Sequence, residues 1–483
     1  MVKLIIKDEV NVKFEGLDLF ARKKYMNKYK YQVPYARHMP AYKLGRWDGC
    51  VNFFSLGGVT YLRLLENILV EMEQDGIAIE DIEDNRIAHD FKFEQVKEDS
   101  YSHFVWPKGH PEAGPPIMLR DYQVEAINLY LSEPQCIQEI STGAGKTILS
   151  AVLASRIEAY GRSIVLVPNK DLVTQTERDF KLLGLDAGVY FGDRKELNKQ
   201  HTICTWQSLN NLYKKSRDED LEHDIHDFLD DVICVMVDEA HMAKADVVKQ
   251  QMGTVFAQVP IRWGMTGTIP KEDYERMSLV VSVGPVVGKI AAADLQEKGV
   301  LASCHVNIIQ IQDHKEFGNY QEELKYLLTN PDRLENIGKL VAQIAEDGNT
   351  LVLVDRISAG EELCNRLGDC AVFVNGAMKS SDRRDHYDEV SEADGKIIVA
   401  TYGVAAVGIN IPRIFNLVLL EPGKSFVRVI QSIGRGIRKA EDKDFVQIWD
   451  ITSNCKFAKR HLTKRKTFYN DAKYPWSLTK TML

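Results

Sequence analysis

The 483-residue sequence predicts an α/β protein: two tandem lobes, each a parallel sheet flanked by helices, preceded by a small α+β unit. Three observations carry that expectation. A short apolar run ends in Ile140-Ser141-Thr142-Gly143-Ala144-Gly145-Lys146-Thr147, and Ile148–Ala154 then follows with helical apolar spacing. Continuous apolar runs such as Val232–Val237 suit strands buried on both faces of a parallel sheet. The stretch Pro107–Pro116 is too dense in proline and glycine for a helix or a central strand.

Taken in chain order, Val2–Ile6 and Asn11–Phe14 alternate as strands do, and Phe20–Tyr31 has the spacing of a helix. Val51–Phe54 predicts a further strand and Tyr61–Met72 a second helix. Residues 1–100 therefore form a separate α+β unit, with 101–116 as a linker. Residues 117–295 make the first lobe and 296–451 the second, with strands near Thr350–Val354, Lys396–Ala400 and Asn416–Leu420. Residues 452–483 are left as a basic tail. No internal repeat or low-complexity tract is visible.

The chemistry begins at the glycine-rich turn. Glycines between a strand and a helix let backbone N–H groups point at phosphate oxygens. Lys146 would reach the β and γ phosphates of ATP, and the Thr147 hydroxyl could ligate Mg²⁺. Ile140 stands where the usual string begins with glycine. The partner of such a loop is a carboxylate pair at a strand end. Val232–Val237 runs into Asp238-Glu239-Ala240-His241. Asp238 would hold Mg²⁺ through water, and Glu239 would orient and deprotonate the attacking water.

With these two segments in place, the chain resembles the superfamily 2 helicases and translocases, whose lobes are RecA-like. Leu119–Gln123 resembles their adenine-reading segment, which assigns Arg120 and Gln123 to the base, with Ser141, Thr142, Gly143, Ala144 and Gly145 around the phosphates. Val165–Lys170 and Thr205–Leu209 resemble the backbone-contacting motifs. The resemblance thereby implies nucleic-acid contacts at Pro168, Asn169, Lys170, Thr205 and Gln207, and in the second lobe at Arg356 and Thr401. Met265-Thr266-Gly267-Thr268 resembles the motif that links ATP state to DNA contact, with Thr266 and Thr268 as coupling residues. Ala400–Gly403 with Gly408–Pro412 resembles motif V, placing Gly408 at the nucleotide. Gln431–Arg438 matches motif VI, with Gln431, Arg435 and Arg438 in catalytic roles. Arg435 and Arg438 are three apart, hence on one helical face, and guanidinium groups suit the charge spread over γ-phosphoryl oxygens. ATP would then close two lobes on binding and release them on hydrolysis.

Composition bounds the partners. Net charge is −8, yet residues 1–50 hold eleven Lys/Arg against five Asp/Glu, whereas residues 71–100 hold three against eleven. Lys456 to Lys480 is basic again. Patches, not net charge, are what a phosphate backbone meets. Arg22, Lys23, Lys24, Lys28 and Lys30 are interleaved with Tyr25, Tyr29, Tyr31, Tyr35 and Tyr42, an arrangement suited to phosphates and stacked bases; about half of these aromatics are expected in the core. Gly45–Gly49 reads as a turn presenting Arg46 and Trp47. That turn resembles one in phage recombination helicases of the UvsW type. The resemblance implies branched duplex DNA as the partner, through fork regression, Holliday junction migration and D-loop or R-loop unwinding.

His241 in place of aspartate, Thr266-Gly267-Thr268 in place of Ser-Ala-Thr, and the segment around Gln123 favour duplex DNA over RNA. An RNA or RNA–DNA hybrid helicase and the motor of a restriction system are the alternative readings. The eight cysteines show no C-x-x-C or paired Cys/His spacing, so neither structural zinc nor a disulfide framework is expected. No signal or membrane span is expected either, and a reducing, cytoplasmic setting follows, that of the host if the chain is phage-encoded.

Overall fold

A computed structural model describes residues 2–106, 114–197, 199–218, 224–242, 245–378, 380–404, 413–423, 433 and 443–482. Two units emerge, one holding residues 1–140 and 145–289, the other 141–144 and 290–483.

In the first unit, apolar alternation pairs β1 (Lys3–Ile6) antiparallel with β2 (Asn11–Glu15), so that Leu4, Ile6, Val12 and Phe14 all face inward. β3 (Lys30–Gln32) and β4 (Cys50–Asn52) form a two-stranded ladder. β5 (Val59–Tyr61) joins β2, and β6 (Asp81–Asp84) runs parallel to β1. The helix Leu19–Lys28 starts where the Asp18 carboxylate accepts a hydrogen bond from the Ala21 N–H at 2.7 Å. It stops short of the expected Tyr31 because Lys30–Gln32 are drawn into the ladder with β4. A second helix, Leu65–Gln74, follows a single 3-10 turn at Leu62–Leu64.

Residues 1–100 do not stand apart as expected. Their core of Phe14, Tyr25, Phe53 and Phe54 also takes in Val281. The Glu9 N–H donates to the Ala257 carbonyl, the Asn11 side-chain amide to Gly253, and Arg63 to the Gln135 side chain at 2.7 Å. At the expected linker, Trp106 donates to Pro115 and Ile117 to Phe104; residues 107–113 lie outside the described residues.

Eight strands follow: β7 (Gln135–Ile140), β8 (Arg162–Val167), β9 (Ala187–Phe191), β10 (Arg194–Lys195), β11 (His201–Thr205), β12 (Val232–Asp238), β13 (Ile261–Thr266) and β14 (Val286–Ile290). They assemble in the order β10-β9-β11-β8-β12-β13-β7-β14. From β9 to β7 every neighbour pair is parallel, so these strands deliver their carboxyl ends to one edge. Ile137, Ile164, Val235 and Val237 are wholly buried, as continuous apolar strands must be between two helical layers.

The second unit carries β15 (Ser303–Ile311), β16 (Thr350–Val354), β17 (Ala371–Val374), β18 (Ile397–Thr401), β19 (Asn416–Leu420), β20 (Phe445–Ser453) and β21 (Trp476–Thr481), in the order β17-β18-β16-β19-β20-β15-β21. All pairs are parallel. The three strands expected at 350–354, 396–400 and 416–420 fall within one residue of β16, β18 and β19. Residues 452–483 are no tail. They form the end of β20, a helix Lys456–Asp471, and β21, which pairs with β15 from Val306↔Trp476 to Ile311↔Thr481. Arg465 clamps the helix: its guanidinium bonds both Asp450 oxygens, at 2.8 and 2.9 Å, and the Gly423 carbonyl at 2.7 Å.

Candidate functional site

The glycine-rich turn leaves the carboxyl end of β7 and enters the helix Lys146–Ile157. Gly143 and Gly145 take left-handed φ values of 89° and 88°. A Cβ on Gly145 would lie 2.7 Å from the Gln123 side-chain nitrogen, and one on Gly143 2.7 Å from a Leu301 methyl. Only glycine fits both positions, so the backbone is left bare for close approach by an anion. Thr142 and Ala144 are buried between them, and Ser141 is half-buried. Gln123 is fixed from its other end: its side-chain oxygen accepts the Arg120 N–H at 2.9 Å. Arg120 itself bonds the Tyr122 hydroxyl.

At the head of that helix, Lys146 Nζ lies 3.0 Å from Glu239 Oε1, with both side chains buried, and donates to the Ile140 carbonyl at 3.4 Å. Asp238 ends β12, two strands from β7 with β13 between them, and its carboxylate accepts the Glu239 N–H at 2.8 Å. Glu239 holds a left-handed φ of 48°, a strained conformation for a residue with a side chain.

A role for His241 was missed in the sequence beyond its use to separate helicase groups. Its Nδ1 stands 2.5 Å from Thr266 Oγ1 and 3.6 Å from Glu239 Oε2. Thr266 spends its own proton on the Thr268 carbonyl at 2.8 Å, so Nδ1 is the protonated nitrogen of a neutral imidazole. Burial, with help from Lys146, holds the His241 pKa below the ordinary histidine value and outweighs the pull of Glu239. Gly267 N–H completes the link to Glu239 Oε2 at 3.4 Å. Polar contacts thus run from Lys146 through Glu239 to the Gly267 N–H, with the His241–Thr266–Thr268 hydrogen bonds beside them.

Two further segments end at the same sheet edge. β11 and β8 are in register with Thr205 opposite Val167, which brings Thr205–Gln207 beside Pro168–Lys170. Asn169 caps the helix Lys170–Leu182 by accepting the Leu172 N–H at 3.0 Å. Thr205 is buried, its hydroxyl committed to Ser208. Lys170 and Gln207 are the exposed members. In the second unit, Thr401 ends β18 opposite Val354 of β16, and Arg356 caps the next helix while donating to Gln321 at 3.2 Å. Gly408, Gln431, Arg435 and Arg438 lie outside the described residues.

The turn at Gly45–Gly49 differs from the expectation in one respect. Arg46 is exposed, but Trp47 is anchored: its indole N–H donates to Cys50 O at 2.8 Å and its ring packs on Val33, Ala36 and Tyr274. Of the interleaved aromatics, Tyr25 and Tyr29 are buried, with hydroxyls on Asp75 and Glu71, while Tyr35 and Tyr42 are exposed.

Mg²⁺ chemistry fits the donors: a buried aspartate at a strand end, a threonine in the first helical turn, and a glycine cradle that excludes Cβ atoms. Among the described residues no helix is long and apolar enough to cross a membrane.

Known proteins are similar to this chain in sequence and in fold. The family model for the type III restriction enzyme res subunit matches residues 116–271, and that for the helicase conserved C-terminal domain matches residues 332–440. The ATP-dependent DNA helicase uvsW of Enterobacteria phage T4 is 24% identical over 368 residues, spanning 72% of this chain and 71% of the relative. The DNA 3'-5' translocase XPB2 of Sulfurisphaera tokodaii is 28% identical over 294 residues, 59% of this chain and 60% of the relative. Among solved structures, the ATP-dependent Type ISP restriction-modification enzyme LlaBIII bound to DNA superposes with a TM-score of 0.57 at 14% identity, covering 86% of this chain and 34% of that one.

Proposed function

This chain belongs to the superfamily 2 helicases, ATP-dependent motors on nucleic acid, and on that premise we propose that its track is duplex DNA, engaged at branch points. The observation that carries the reading is the run of polar contacts from Lys146 through Glu239 to the Gly267 N–H, because it joins the residues that meet phosphate to the strand end that carries the coupling motif.

The chemistry follows residue by residue. Backbone N–H groups of the Gly143–Thr147 turn donate to the triphosphate oxygens, aided by the helix N-terminus. Lys146 exchanges Glu239 for β/γ-phosphate oxygens, a stronger multiply charged partner. Glu239, released from the lysine, orients a water and takes its proton as the water attacks the γ-phosphorus, while the bond from that phosphorus to the β–γ bridging oxygen breaks and ADP leaves. Thr147 and Asp238 would hold Mg²⁺, which when bound neutralises charge on the β and γ oxygens. Arg435 and Arg438 stabilise the charge that develops on the transferring phosphoryl group. A moved Glu239 carboxylate alters what Gly267 and His241 bond, and His241 passes the change to Thr266. Strand contacts at Pro168–Lys170 and Thr205–Gln207 sit at the same edge, so a shift there becomes a step along DNA.

Two observations support branched DNA: the exposed Arg46 on a glycine-bounded turn, and the similarity to a phage protein described as a DNA helicase. Fork regression, Holliday junction migration and D-loop or R-loop unwinding are the reactions proposed. The match to a restriction-subunit family favours, second, a duplex translocase that moves without separating strands. Unwinding of matched fork, Holliday junction, R-loop and linear duplex substrates, with phosphate release measured alongside, tests both. Faster turnover on branched substrates with strand separation supports the first; turnover on linear duplex without separation supports the second.

A further inference from the structure

The helix Lys456–Asp471 has two unlike faces. Ala458, Leu462, Arg465 and Tyr469 recur at helical spacing and are buried against the second lobe. Lys456, Lys459, Arg460 and Lys464 are exposed on the opposite side, with only threonines among them. The one carboxylate of the helix, Asp471, lies at its far end. None of these four cations has an ion pair with a described residue, whereas the buried Arg465 is matched by Asp450. Lys456, Arg460 and Lys464 follow one another at i, i+4, which sets like charges about 6 Å apart along one row. Such a row is unfavourable by itself and becomes favourable under a polyanion.

The row is also continuous with a position already expected at nucleic acid. Arg356 donates to Gln321. The neighbouring Tyr320 ring meets His461 at 5.1 Å and Phe457 at 6.0 Å between centroids. Lys456 and Arg460 in turn lie 5.7 and 6.0 Å from the Phe457 centroid. Because Arg465 fixes the helix to β20 and to Gly423, the cations are presented from a rigid support.

We propose that the outer face of the helix Lys456–Asp471 is a nucleic-acid contact, gripping the phosphate backbone of the strand that passes Arg356. This rests on the chain being a nucleic-acid motor. It assigns the helix backbone grip, since lysine and arginine on one face meet phosphates, with no asparagine or glutamine among the four cations to read a base edge. An acidic protein is the competing occupant.

The test compares full-length wild type with the quadruple variant Lys456→Gln, Lys459→Gln, Arg460→Gln, Lys464→Gln. A control removes two exposed lysines already paired with Glu335 and Glu139, Lys339→Gln with Lys289→Gln. Affinity for a forked duplex is measured at several salt concentrations, with ATP turnover in the absence of DNA measured separately. The quadruple variant is expected to keep its basal turnover. Its slope of log affinity against log salt should fall by about 2–4, roughly 0.9 per lost phosphate contact, with affinity at low salt down at least tenfold. The control should bind as wild type does. An unchanged slope in the quadruple variant overturns the proposal, as does an equal loss per charge in the control. Wild type that turns over ATP but binds no DNA overturns both this proposal and the duplex-DNA reading it rests on. An unchanged slope beside normal wild-type binding overturns this proposal alone and points to the acidic protein.

Discussion

Lys146 Nζ stands 3.0 Å from Glu239 Oε1, joining the residue expected to hold the phosphates to the residue expected to activate water. The two charges are buried and neutralise one another, so loss of either leaves the other uncompensated. Lys146→Ala is expected to abolish ATP turnover while keeping DNA affinity within a few-fold, because the segments proposed to meet the strand lie on other loops. Phosphate release and fork binding by the purified variant check this. Turnover at the wild-type rate would remove the phosphate-site assignment.

His241 Nδ1 shares a hydrogen bond with Thr266 Oγ1. His241→Ala should preserve DNA-independent ATP turnover within about tenfold yet reduce base pairs separated per ATP, since the link to the coupling strand is cut. Measuring both rates on one preparation gives the ratio. The pH behaviour has a definite sign. Burial keeps the folded-state pKa below the ordinary 6.5, so the stabilisation from the neutral imidazole is full above that value. It is lost as pH falls from 6.5 through the depressed folded-state pKa, and His241→Ala should flatten that part of a melting-temperature profile.

Arg438→Ala should lower kcat by about 10²–10³ and change ATP affinity little, because its charge is needed most as the transition state forms. Steady-state kinetics against nucleotide binding separates the two. A rise in KM with kcat intact would assign Arg438 to ground-state binding instead.

Arg46 and Trp47, adjacent in one turn, should behave differently. Arg46→Ala removes an exposed cation and should weaken fork binding and its salt dependence with no change in melting temperature. Trp47→Ala removes a ring packed on Val33 and Tyr274 and should cost about 1–3 kcal/mol of stability. Thermal melts beside fork titrations distinguish these outcomes.

The glycine turn, the acidic strand end and the three central strands of the second lobe were legible because each uses residue types that few other structures need in that order. Val232–Val237 could be read as a buried strand from apolarity alone. The helix Lys456–Asp471 and β21 were not legible as sheet elements. The helix shows six cations and only a narrow apolar stripe, and β21 is an edge strand with alternate exposed polar residues. Nor could local pattern show that Phe14 and Val281 share a core, since nothing in the 266 intervening positions encodes their meeting. His241 escaped because its function lies in a partner 25 residues away, a distance that only the β12–β13 pairing closes.

Glu239→Gln offers the most direct test of the central claim, that ATP chemistry at the β7 and β12 strand ends drives movement on branched DNA. The amide keeps the shape of the side chain but cannot take a proton from water. Fork and linear-duplex unwinding would be followed beside nucleotide binding for wild type and variant. Wild type should unwind the fork in preference to the linear duplex, and the variant should bind ATP and DNA yet neither hydrolyse nor unwind. Unwinding by Glu239→Gln at the wild-type rate, or equal unwinding of fork and linear duplex by wild type, would contradict the account.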